Sequence, residues 1–108
     1  MFQFLNNLFI QKDSDEALKE YIKQEARLID VRSPEEFEIA HAPGTENIPM
    51  QEIPHHLDKL DKKHPIIAFC RTGSRSDLTK EFLLNHGFEK VLNGGAWQQI
   101  QKLLEKAK

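Results

Sequence analysis

The chain has 108 residues, 30% of them charged and 39% apolar, with a formal net charge of −2. That length sustains one hydrophobic core, and the composition is that of a globular domain. A charge this close to balance excludes an electrostatic case for nucleic acid or an anionic membrane surface, and the single cysteine excludes an internal disulfide.

The chain opens on an apolar stretch, Met1 to Ile10, that has no basic start, is broken by Asn6 and Asn7 and offers no small-residue cleavage site. It therefore does not read as a secretory leader, and no run reaches the ~20 apolar residues of a membrane span. Phe2, Phe4, Leu5, Leu8 and Phe9 are expected to pack on the domain as an edge strand or a short helix. Residues 1–12 then form an apolar extension and 13–108 a single domain, in a soluble, cytoplasmic protein.

Asp13 and Glu16 stand at capping-box spacing and open a helix on which Ala17, Leu18, Tyr21, Ile22 and Ala26 recur at helical intervals. Arg27 to Val31 reads as a short strand. Ser33-Pro34-Glu35-Glu36 is a second helix start, with Ser as N-cap, Pro in the first turn and Glu three residues after the cap. That helix is brief, carries Phe37 and Ile39, and stops before His41-Ala42-Pro43-Gly44. Thr45 to Pro49 reads as an edge or short strand, since Pro49 cannot donate to a ladder. Gln51 to Leu60 follows as one or two helical turns with Ile53, Leu57 and Leu60 inward.

Ile66-Ile67-Ala68-Phe69 is an apolar, β-branched run that predicts a buried strand, with Cys70 at its end. A helix begins near Ser74-Arg75, turns Leu78, Phe82 and Leu83 inward and ends at Gly87. Lys90-Val91-Leu92 predicts another strand, Asn93-Gly94-Gly95 a turn, and Trp97, Ile100, Leu103 and Leu104 the inner face of a last amphipathic helix. Strands alternating with helices on short connections predict an α/β fold, a three-layer α/β/α arrangement around a central, mostly parallel sheet of about five short strands. Cys70 then lies at the carboxyl end of a strand, where such sheets place ligands.

A strand–loop–helix unit sets the Cys70 sulfur over backbone N–H groups at a helix N-terminus, an arrangement that favours the thiolate. Arg71 and Arg75 add positive charge there, and in such surroundings a thiol pKa falls from about 8.5 into roughly the 3.5–7.5 range. Cys70 is therefore read as a reactive nucleophile rather than an inert core thiol. Thr72, Gly73 and Ser74 act through backbone shape, with Gly73 permitting a positive φ. The hydroxyls of Ser74 and Ser76 either donate to the sulfur or cap the helix. A cation at a helix N-terminus is unfavourable, so Arg75 calls for a ligand or a carboxylate partner. Asp30 and Arg32 are expected to support the site structurally, fixing turns through hydrogen bonds and ion pairs. The five histidines show no metal-ligand spacing with the single cysteine or with each other, and no metal or cofactor is expected.

Four separated segments resemble the single-domain rhodanese (thiosulfate sulfurtransferase) family: Leu28-Ile29-Asp30-Val31-Arg32 with Pro34-Glu35-Glu36-Phe37; His41 to Pro49; Cys70-Arg71-Thr72-Gly73-Ser74-Arg75; and Gly94-Gly95 with Trp97. The second departs from the family pattern, with Ala40 where Gly is usual and Ala42 where Ile is usual. The resemblance implies a rhodanese-like fold and a sulfane-sulfur transferase. Cys70 would take sulfur from thiosulfate as a persulfide and pass it to cyanide, glutathione, a thioredoxin-type dithiol or a protein thiol. The N–H groups of residues 71–75 would hold the terminal sulfur, and Arg71 and Arg75 the sulfonate of the donor. A monomer or weak homodimer is expected. Alternatives are a persulfide carrier loaded by a partner protein, a non-enzymatic binding module, which would usually lack the cysteine, and a phosphatase or arsenate reductase of related fold. The last uses one residue more between Cys and Arg than the four found here.

Overall fold

The computed structural model describes residues 12–107. The expected extension over residues 1–12 thus lies outside the described residues, Lys12 excepted. Four helices and four strands alternate: α1 (Asp15–Lys23), β1 (Arg27–Asp30), α2 (Pro34–Ile39), β2 (Glu46–Asn47), β3 (Ile66–Cys70), α3 (Ser74–Asn85), β4 (Val91–Ala96) and α4 (Trp97–Lys106), with a 3₁₀ segment over Met50–Lys59 between β2 and β3. The sheet order is β2-β1-β3-β4 and every pairing is parallel. This is the expected α/β sheet, with four strands among the described residues.

β3 is buried along its whole length, which its unbroken apolar run requires of a central parallel strand. Its side chains alternate between two cores. Ile66, Ala68 and Cys70 face a cluster with Ile29, Val31, Ile53, Leu83 and Val91, while Ile67 and Phe69 face Leu18, Ile100 and Leu103. Period two thus sends Cys70 to the side covered by α3 and the 3₁₀ segment, and leaves α1 and α4 on the other.

Three local readings are corrected, those for Asp13, Leu78 and Asn93-Gly94-Gly95. Ser14, not Asp13, caps α1, accepting from the Ala17 N–H. Asp13 instead accepts from the backbone N–H of Asn93 and from Lys80 Nζ, tying α3 to β4. Leu78 is 58% exposed, because the inner face of α3 runs through Ser76, Thr79 and Leu83, at helical spacing one residue out of phase with it. Ile39 is 86% exposed, as α2 is too short to wrap a face around the sheet. Asn93-Gly94-Gly95 is not a turn but part of β4, which shifts register against β3 between Ala68 and Cys70. Gly94 lets this strand lie close under α4. The second helix start is as expected, with the full Ser33–Glu36 capping box and Pro34 in the first turn. Among the described residues no helix is long and apolar enough to cross a membrane.

A Cβ at Gly94 would stand 2.7 Å from Ile100 Cδ1 and 2.9 Å from Ile67 Cγ2. Gly94→Ala should therefore cost about 1–3 kcal/mol of stability. The check is a lowered urea midpoint with the m-value unchanged. A wild-type midpoint would mean that α4 backs away freely.

Candidate active site around Cys70

Cys70 ends β3 with no solvent exposure. Arg71 and Thr72 stand exposed at the rim, and Gly73 follows with φ 93° and ψ −7°, in the left-handed region, as the N-cap of α3. Only glycine takes that conformation without strain, and it turns the Gly73 N–H back onto Cys70 Sγ at 3.1 Å. Ser76, one turn into α3 and fully buried, brings its Oγ to 3.4 Å from the same sulfur. Burial pushes the Cys70 thiol up. Hydrogen bonds from the Ser76 hydroxyl and from the backbone N–H groups of Ser76, Thr72 and Gly73 together outweigh it, so the thiol is more acidic than usual. Ser76 is therefore the hydroxyl at the sulfur, while Ser74 Oγ lies 3.1 Å from Thr72 Oγ1 in an exposed pair.

Arg75 has the carboxylate partner its position demanded. Its two terminal nitrogens bond Glu36 Oε1 at 2.7 Å and Oε2 at 3.1 Å. Glu36 also accepts from the backbone N–H and the hydroxyl of Ser33, so the capping box of α2 and the cysteine loop share one carboxylate. The Arg75 guanidinium, helped by Ser33, holds the Glu36 carboxyl down to about 2, and Glu36 in turn raises Arg75. Arg71 is exposed, and among the described residues it forms no ion pair.

Asp30 and Arg32 meet as a buried pair, with Asp30 Oδ1 2.9 Å from Arg32 Nε and Oδ2 2.8 Å from its Nη2. Arg32 donates further to the Ala40 carbonyl at 2.7 Å, and its guanidinium carbon lies 4.9 Å from the centre of the Trp97 ring. Asn47 Nδ2 donates to the carbonyls of both Asp30 and Arg32. These contacts lock the β1–α2 turn. None of them is a hydrogen bond to residues 70–75.

Sequence reasoning left three residues off the site. Glu36 was legible only as a capping residue; the unfavourable placement of Arg75 was the signal that a carboxylate had to come from elsewhere. Ser76 was weighed but not separated from Ser74. Asn93 was assigned to a turn, yet it is 1% exposed and its side chain reaches the loop: Oδ1 accepts from Ser76 Oγ at 2.7 Å and Nδ2 donates to the Gly73 carbonyl at 3.1 Å. Period-two alternation aims it there, since Asn93 pairs with Ala68 and lies two residues from Val91, both on the face that carries Cys70.

Neither a hollow of about 530 Å³ between α1 and α4, lined by Lys19, Ile22 and Leu103, nor one of about 590 Å³ lined by Ser33, Asn47 and Gln51 includes a residue of the loop. Among the described residues no group of His, Cys, Asp and Glu is arranged to hold a metal.

Because folding acidifies Glu36, its contribution to stability is complete above its ordinary pKa of 4.5 and is lost as pH falls toward about 2. Glu36→Gln should lose about 1 kcal/mol at pH 7, a figure discounted for a pair that is one-third exposed. The gap to wild type should narrow between pH 4.5 and 2. Urea unfolding at both ends of that range checks it, and a constant gap would remove the ion pair from the account.

The family model of the Rhodanese-like domain matches residues 13–102. The chain is 37% identical over 86 residues to a candidate sulfur carrier protein of Bacillus subtilis (strain 168), YrkF, covering 79% of this chain and 42% of that one. It thus spans less than half the length of YrkF. To the thiosulfate sulfurtransferase GlpE of Vibrio cholerae serotype O1 it is 28% identical over 102 residues, covering 91% of this chain and 94% of GlpE. In fold it is similar to the human single-domain sulfurtransferase TSTD1, with a TM-score of 0.67 at 24% identity over 81% of this chain and 91% of that one. The chain belongs to the rhodanese-like family.

Proposed function

We infer that the chain is a sulfurtransferase that carries sulfane sulfur as a persulfide on Cys70, taking it from thiosulfate or a similar donor and passing it to a thiophilic acceptor. The observation that carries this is the meeting of the Gly73 N–H and the Ser76 hydroxyl at a buried, acidified Cys70 sulfur. Such donors stabilise a sulfur anion without surrendering a proton to it, which suits a reaction whose nucleophile and product are both sulfur anions.

In the forward half, the Cys70 thiolate attacks the outer sulfur of thiosulfate. A Cys–S–S bond forms, the sulfur–sulfur bond of thiosulfate breaks, and sulfite leaves with its electron pair. In the return half, cyanide or a thiolate attacks the terminal persulfide sulfur, taking it as thiocyanate or a new persulfide and restoring the Cys70 thiolate. No general base is needed, since each attacking group is already an anion. Arg71 at the rim meets the sulfonate of the donor. Arg75, engaged by Glu36, shapes the loop and adds positive charge to it. A free thiol at the centre of the site suits a reducing, cytoplasmic setting.

The similarity to YrkF favours a second reading, in which a partner protein rather than thiosulfate loads Cys70. Glutathione and thioredoxin-type thiols are the acceptors that this chemistry admits in either case. The four-residue spacing from Cys70 to Arg75 supports sulfur over a tetrahedral phosphate or arsenate as the group held.

Incubation with thiosulfate should add one sulfur atom to the intact mass, and cyanide should erase the gain with thiocyanate formed. Cys70→Ser should show neither. Sulfur loading in Cys70→Ser would sink the mechanism, whereas no loading of the folded wild type would favour a protein donor. Arg71→Ala should raise KM for thiosulfate about fivefold with kcat little changed, the effect of one solvated ion pair. An unchanged KM would remove Arg71 from donor binding.

A further inference from the structure

Two of the groups at the Cys70 sulfur are tied to one side chain. Gly73 gives its N–H to the sulfur at 3.1 Å, and its carbonyl, in the next peptide group, accepts from Asn93 Nδ2 at 3.1 Å. The Ser76 hydroxyl lies 3.4 Å from the sulfur and donates to Asn93 Oδ1 at 2.7 Å. The amide cannot turn over. Its oxygen also accepts the Gly95 N–H at 3.0 Å, so a flipped NH₂ would face that donor with another. Asn93 is anchored in turn by Asp13, whose N–H donates to the Asn93 carbonyl at 2.8 Å and whose carboxylate accepts the Asn93 N–H at 2.7 Å.

Ser76 has one proton and two acceptors within reach. With Cys70 as a thiol, the hydroxyl proton goes to Asn93 and the S–H completes the contact to Ser76 Oγ. With the sulfur as an anion, a rotation about the Ser76 C–O bond sends the proton to the sulfur instead. Asn93 Oδ1 keeps the Gly95 N–H, so neither state leaves a buried acceptor without a partner.

We propose that Asn93 is the positioning residue of the cysteine loop, its buried amide holding Gly73 where the Gly73 N–H reaches the Cys70 sulfur. Asn93 does not touch the sulfur and acts through Gly73. The proposal rests on the reading that Cys70 works as an anion, and its test senses that anion without any sulfur donor. The charged groups that bear on the loop are Arg75 on α3, Glu36 on α2 and Asp30 at the end of β1.

The experiment is the pH dependence of Cys70 alkylation by iodoacetamide in the full chain. Asn93→Ala should raise the apparent pKa by about one pH unit, the effect of weakening hydrogen bonds to a charged group. Ser76→Ala, which removes a hydroxyl within reach of the sulfur, should raise it as well. Gly94→Ala, which presses on Ile67 and Ile100 across the sheet, should lower stability and leave the alkylation pKa where it was. Asn93→Ser, too short to span both arms, should shift the pKa in the same direction and serves if Asn93→Ala does not fold. A wild-type pKa in either folded Asn93 variant, or an equal shift in Gly94→Ala, would overturn the proposal. A chain that takes no sulfur from thiosulfate yet shows these shifts would count against that donor and for the role of Asn93.

Discussion

Cys70 ends a strand buried on both faces, and an anion placed there loses its hydration. Burial alone pushes the thiol up. The loss is made good by dipoles that do not ionise: the Gly73 N–H, the Ser76 hydroxyl and the first N–H groups of α3. Much of the fold can be read as the means of setting these donors around one sulfur. The alternation of β3 sends Cys70 toward α3, and the left-handed Gly73 bends the chain into that helix within three residues. The inner face of α3 opens with the small polar residues Ser76 and Thr79, which let the helix start close to the strand end.

Two arginine–carboxylate pairs flank this loop under different conditions. Asp30 and Arg32 are both buried, so their charges are stable only because they pair with one another, with Arg32 donating further to the Ala40 carbonyl and its amide to Asp30. Glu36 and Arg75 are one-third exposed, and solvent takes part of their attraction. The second pair nevertheless joins α2 to α3 across a gap of 39 residues in sequence and commits two nitrogens of Arg75 to a protein carboxylate. The two loop arginines therefore divide: one braces the loop from below and the other faces solvent at its mouth.

Local rules were legible where neighbours along the chain suffice to satisfy them. The Ser33-Pro34-Glu35-Glu36 start, the continuous apolar run of β3 and the glycine in the loop each involve backbone groups a few residues apart. The errors fell where a distant partner claimed the residue. Asp13 has the chemistry of a cap, but Asn93 and Lys80 take its carboxylate, and Ser14 caps in its place. Asn93-Gly94-Gly95 has turn chemistry, but pairing with β3 extends it and the register shift absorbs its irregularity. Leu78 is apolar, yet the phase of α3 is set by where Ser76 must stand and leaves it exposed.

By itself the sequence determined the α/β alternation, the end of a buried strand as the place of Cys70, and the glycine that lets a helix begin four residues after it. Those features follow from side-chain periodicity and from backbone conformations open to single residue types. Which hydroxyl meets the sulfur, which carboxylate answers Arg75, and that an asparagine 23 residues beyond the cysteine reaches both Gly73 and Ser76 were decided only by the tertiary structure. Those choices depend on the register between β3 and β4 and on the phase of α3, and both are set by packing between elements rather than by any one segment.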